Sequence, residues 1–128
     1  MIYLDSSVVL AALFVEPRRA PVNFWTSNLI SSRLLEYEVI NRVHARGLDA
    51  PELVAAQELL LDVTLLDLSQ VNLVRALQPF PVPVRTLDGL HLAAMDFLRL
   101  HGQTVELASY DLRLNAAAQA LGFDLVAW

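Results

Sequence analysis

Five carboxylates stand at turning points of this chain. Asp5 follows the short apolar run Ile2 to Leu4 and precedes Ser6, Ser7 and the apolar stretch VVLAALFV. Glu36 and Glu38 lie in RLLEYEVINRV, Asp88 in RTLDGLHLAAM and Asp111 in ASYDLRL. An ionised carboxylate between apolar segments costs several kcal/mol to bury unless a helix N-terminus, an Arg or a metal ion pairs with it. The chain has no Cys, so thiolate metal sites, Cys nucleophiles and disulfides are excluded. An acid cluster that uses neither Cys nor His suits Mg²⁺ or Mn²⁺. The chemistry that needs such a cluster is in-line attack of water on a phosphodiester. One metal lowers the pKa of the attacking water, and a second, roughly 3.5–4 Å away, can stabilise the leaving oxygen. Each acid also has a plainer reading. Asp5 could cap a helix, although Ser6 and Ser7 already offer that. Asp88 and Asp111 could complement helix dipoles, and a Glu on a helix is most often simply solvated.

These acids need elements to bring them together. Ile2 to Leu4 reads as a first strand, followed by a helix capped by Ser6 or Ser7 and ended by Pro17. Arg19 to Thr26 reads as a short helix with Pro21 in its first turn, and Asn28 to Ser31 as a second strand. Helices are expected over Arg33 to Arg46, stopped by Gly47, and over Pro51 to Asp62. Val63 to Leu66 gives a third strand, and Ser69 caps a short helix reaching Leu77. The loop PFPVPV holds three of the six prolines and precedes a strong helix pattern closed by Gly102. Thr104 to Ala108 reads as a fourth strand, Asp111 to Leu121 as a helix before Gly122, and Phe123 to Ala127 as a last strand. Strands alternating with helices imply an α/β fold, a parallel sheet with helices on both faces. In such a sheet the functional crevice lies beyond the carboxyl ends of the strands, where these acids fall.

The 128 residues suit one domain, 1–128, without internal repeat or linker. The longest apolar run, Val8 to Val15, is too short to span a bilayer, which takes about 20 residues. No basic-then-apolar leader is visible, so a cytoplasmic location is expected. Hydrophobic residues form 55% of the chain and mean hydropathy is +0.46, so some apolar surface should meet a partner. The net charge of −5 argues against a general phosphate-binding surface but not against a local basic rim. All nine basic residues are Arg.

Four segments together resemble the PIN-domain ribonucleases, and within them the toxins of VapBC-type toxin–antitoxin pairs. They are IYLDSSVVLAALF, SSRLLEYEVINRV, VRTLDGLHLAAM and ASYDLRLNAAAQALGFDLV, and they span nearly the whole chain. The resemblance implies a PIN-like α/β fold with a short, twisted, mostly parallel sheet of about five strands. It further implies Mg²⁺- or Mn²⁺-dependent endoribonuclease activity, a homodimer, RNA as substrate and a cognate antitoxin protein. Carried over by motif, Asp5, Glu38, Asp88 and Asp111 are the candidate catalytic and metal-binding acids. Ser7, Ser109 and His91 are candidates to orient them; His91 shares a helix face with Asp88, although a His so placed is more often a core or interface residue.

Arg85 and Arg113 lie within three residues of a candidate acid, so they are expected either to meet RNA phosphate or to pair with Asp88 and Asp111. The glutamates leave an ambiguity. Residues two apart on a helix point about 200° apart, so both cannot face one metal in the same way. The helical wheel puts Glu36 inside the apolar arc of Leu35, Val39, Ile40 and Val43, and Glu38 beside Leu34 and Arg42. The motif spacing from Ser32 selects Glu38, with Glu36 as the alternative ligand, or an acid near Arg33. Two other readings compete: a catalytically silent PIN-like domain that only binds partners, and a phosphate-accepting receiver-like domain. Receivers and haloacid-dehalogenase-type phosphatases use a Lys, and this chain has none.

Overall fold

Tyr3 and Leu4 are adjacent in sequence and fully buried, yet they belong to different cores. Successive strand side chains point to opposite faces, so this strand is buried on both sides. In the computed structural model, which describes residues 1–47 and 50–128, it is β1 (Ile2–Leu4), the centre of a parallel sheet. The other strands are β2 (Leu29–Ser32), β3 (Val63–Leu66), β4 (Glu106–Ala108) and β5 (Asp124–Leu125). Their order is β3-β2-β1-β4-β5, with Tyr3 in register with Ile30 on one side and Leu107 on the other.

Helix α1 (Ser6–Leu13), α2 (Arg33–Ala45) and α3 (Ala50–Leu60) cover one face, packing Val8, Val9, Leu35, Val39, Val43 and Ala56 against Leu4, Leu29 and Ala108. Helix α5 (Thr86–Leu100) and α6 (Leu112–Ala120) cover the other, with Leu92, Met95, Leu98 and Leu114 against Tyr3, Ile30 and Leu107. Gly102 and Gly122 close α5 and α6 with φ of 80° and 84°, a backbone conformation that L side chains resist. Among the described residues no helix is long and apolar enough to cross a membrane.

Some expected boundaries are corrected. Asp5, not Ser6 or Ser7, caps α1, and both serines lie in its first turn. The helix expected over Arg19 to Thr26 is a short 3₁₀ helix, Val22–Thr26, because Pro21 holds the chain before it extended. The fourth and fifth strands are shorter than expected, and Asp111 caps α6 from outside it.

Helix α4 (Gln70–Ala76) is tied to α5 by a feature the hydropathy pattern does not announce. Buried Asp96 accepts a bond from Arg75 Nε at 2.6 Å and another from Arg99, whose Nη1 also donates to the Leu121 carbonyl. Asp96→Ala is expected to destabilise the fold by about 2–3 kcal/mol in chemical denaturation. This is below the roughly 3–5 of a fully buried pair, because both arginines keep partial contact with water. A loss under about 0.5 kcal/mol, the level of an ordinary surface change, would show that the trio does not hold α4.

Candidate active site

The chain reverses direction across the sheet between β1 and β4, and the ends of these two strands carry Asp5 and the segment Ser109 to Asp111. This is where an open parallel sheet forms its crevice. Two hydroxyls stitch the strand ends together. Asp5, itself buried, accepts three bonds on Oδ2: from the Ser7 amide at 3.2 Å, Ser7 Oγ at 2.5 Å and Ser109 Oγ at 2.8 Å. Ser7 Oγ in turn accepts from the Tyr110 amide at 2.9 Å, and Ser109 Oγ from the Asp111 amide at 3.0 Å.

Asp111 arrives as the cap of α6. Its Oδ1 accepts from the Arg113 and Leu114 amides at 2.8 and 3.2 Å, which leaves Oδ2 turned to Arg85. Asp88 is placed by the first turn of α5, and its Oδ2 accepts from Arg85 Nε at 2.9 Å. Glu38, partly buried on α2, comes from the opposite face of the sheet. His91 of α5 reaches it through Nε2, 2.5 Å from Oε1, while its Nδ1 shares a hydrogen bond of 2.9 Å with the Tyr3 hydroxyl.

The four acids line a single cavity of about 490 Å³ together with Ser6, Ser7, Leu10, Arg42, Arg85, Thr86 and Leu87. Within it, ligand atoms of Asp5, Glu38 and His91 all lie within 4.8 Å of one another. Both His91 nitrogens are engaged, so His91 orients Glu38 and leaves the oxygens to act as ligands. Glu36 is elsewhere. It pairs with Arg33 at 3.6 Å and lines a larger groove, about 740 Å³, between α2, α3 and β3. Arg85 takes the ion-pair option, bridging Asp88 and Asp111. Arg113 lines an adjoining cavity that shares Arg85 and Asp88 with the first.

Arg42 is the residue that the sequence reading leaves unassigned. It is exposed at the cavity mouth and makes no ion pair among the described residues. Its spacing of four from Glu38, one turn along the same flank, is the signal that points to it.

Crowded carboxylates raise one another's pKa, but that simple expectation holds only in part. Burial is the main influence on Asp88 and lifts it above its ordinary value, with smaller pushes from the charges of Asp111 and Asp5 against the pull of Arg85. Burial also works on Asp111, yet the bonds from Arg85 and from the Leu114 and Arg113 amides outweigh it and hold that carboxyl low. For His91, burial opposes the charge, while Tyr3 and the bonded Glu38 favour it and raise the imidazole above its usual range.

The sequence pattern of the PIN domain family matches residues 2–126. Two curated relatives bear the same description, Ribonuclease VapC35 of Mycobacterium tuberculosis, from strains CDC 1551 / Oshkosh and H37Rv. Each is 31% identical to this chain over 135 aligned positions, covering 99% of this chain and 96% of the relative.

Proposed function

The chain belongs to the PIN domain family, and on that premise we propose that it is a metal-dependent endoribonuclease, the toxin of a toxin–antitoxin pair, built as one domain over residues 1–128. The observation that carries this reading is the convergence of Asp5, Glu38, Asp88 and Asp111 on one cavity at the sheet's carboxyl edge. The two relatives named as ribonucleases support the activity.

The donor set fits a hard divalent cation. Asp5 Oδ2 is spent on three hydrogen bonds, and Oδ1 accepts none among the described residues. Asp5, Glu38, Asp88 and Asp111 are the residues proposed to hold Mg²⁺ or Mn²⁺. Such an ion supplies a lowered pKa for the attacking water and positive charge for the leaving oxygen.

The remaining work falls to the chain. Ser7 and Ser109 fix the Asp5 carboxylate against the β4 end, and His91 fixes Glu38, so the acids meet a substrate already oriented. Arg42 at the mouth of this cavity and Arg113 in the adjoining one offer positive charge where an RNA phosphate must pass.

The test is cleavage of a broad RNA panel by antitoxin-free protein in Mg²⁺ or Mn²⁺, with EDTA expected to abolish it. No cleavage of any RNA would return the reading to a silent partner-binding domain. A small antitoxin and a second copy are the proposed protein partners, and the cytoplasm the proposed location. Exposed Leu68, Val71, Val74 and Leu77 on and around α4 supply the apolar surface that such partners need. Sedimentation of the free protein as a monomer at micromolar concentration would overturn the homodimer.

A further inference from the structure

Arg85 has a place in the cavity that the proposed reaction does not use. It occupies the cap position of α5 but makes no side-chain capping bond. Its guanidinium turns inward instead and donates Nε to Asp88 Oδ2 and Nη2 to Asp111 Oδ2. For Asp111 this is the one oxygen that the α6 amides leave over. A planar fork closes two carboxylates at once, which a Lys ammonium does as a point charge only. The Arg85 side chain is nevertheless 49% exposed, so it sits at the rim with a free path outward.

The acids therefore divide into two groups. Glu38 is answered by His91, and Asp5 by two serine hydroxyls, at one end. Asp88 and Asp111 are closed by Arg85 at the other. A divalent cation that recruits all four acids competes with the guanidinium at Asp111 Oδ2, the oxygen that the α6 amides leave over, and brings its charge against Arg85 at Asp88, whose Oδ2 the guanidinium also holds.

We propose that Arg85 is a resident counter-ion of this cavity, displaced by the divalent cation and thereby released to bind RNA phosphate. This rests on the metal-site reading above. One side chain then couples two ligands. The cation frees the phosphate-binding guanidinium, and an RNA phosphate that draws the guanidinium outward clears the acids for the cation. Linkage requires the two effects to be equal in size.

The test compares wild type, Arg85→Ala and Arg85→Lys as full-length protein. Calorimetric titration with Mn²⁺ alone should show binding tightened about tenfold in Arg85→Ala, where no competitor remains. That factor is of the order expected for losing charge-assisted bonds at a half-exposed site. Arg85→Lys, which keeps the charge without the fork, should fall between. The melting temperature without metal should drop in Arg85→Ala, and its rise on adding Mn²⁺ should exceed that of wild type. RNA binding is then measured with and without Ca²⁺, chosen to fill the acids while the RNA stays intact. Ca²⁺ should raise RNA affinity more in wild type than in Arg85→Ala.

Unchanged or weaker Mn²⁺ binding in Arg85→Ala would overturn displacement and make Arg85 a fixed brace for the two acids. An equal Ca²⁺ effect in both proteins would overturn the coupling. Absence of Mn²⁺ binding in all three proteins would overturn the metal site itself and the displacement with it, an outcome distinct from equal binding, which leaves the metal site standing.

Discussion

Asp5→Asn is expected to lower RNA cleavage about a thousandfold, some 4 kcal/mol of barrier, while leaving the fold in place. The change is nearly isosteric. The Asn carbonyl oxygen can stand where Oδ2 now accepts from the Ser7 amide, Ser7 Oγ and Ser109 Oγ, so the cap of α1 and the link between the β1 and β4 ends survive. What is lost is the negative charge at the end of the central strand, on the one acid of the four that takes no bond from Arg or His among the described residues. That separates it from groups that only orient ligands, whose removal typically costs roughly 10–100-fold. Melting temperature without metal should move by no more than a few degrees, and the stabilisation by Mn²⁺ should shrink. Full activity in the variant would remove Asp5 from the proposed set. Loss of activity with a collapsed melting curve would instead mark Asp5 as a structural cap.

The alternation of short apolar runs with capped helices made the α/β class legible, because each element carries its own local signal. Ser69 before α4, the proline loop and Gly102 and Gly122 past their helices are all such signals. Which strands neighbour one another is not local. β1 sits between β2 and β4, and only this places Asp5 next to Asp111 across 106 residues of chain. Asp5 as cap of α1 was hidden by chemistry rather than by distance, since Asp and Ser serve equally well there and three stand in a row. The Glu38–His91 contact joins helices on opposite faces of the sheet, and the Arg85 bridge joins two helix starts. Neither leaves a periodic trace. The Asp96 trio is likewise silent, because a lone acid in an apolar helix reads as an interruption until its two arginines are seen.

Glu38→Gln is expected to abolish cleavage, and Glu36→Gln to leave most of it. The two residues share one helix, one chemistry and a spacing of two, so the pair controls for general effects on α2. On the wheel Glu36 looks the more inward acid, falling within the arc of Leu35, Val39, Ile40 and Val43. The fold leaves it exposed for a reason beyond the helix. β3 is the edge strand of the sheet, and Glu36 faces Arg33 and an open groove that it lines together with Val63 and Leu65 of that strand. The buried arc of α2 leans the other way, through Leu34, and carries Glu38 with it toward β1 and α5. There Glu38 meets His91 within the same cluster as Asp5. Gln keeps the length and can still accept from His91 Nε2, so packing should be retained while the ligand charge is lost. Single-turnover cleavage and Mn²⁺ titration of both variants decide the matter. A dead Glu36→Gln beside an active Glu38→Gln would require α2 to present its other flank to the RNA, and would move the site from the sheet's crevice to the groove along β3.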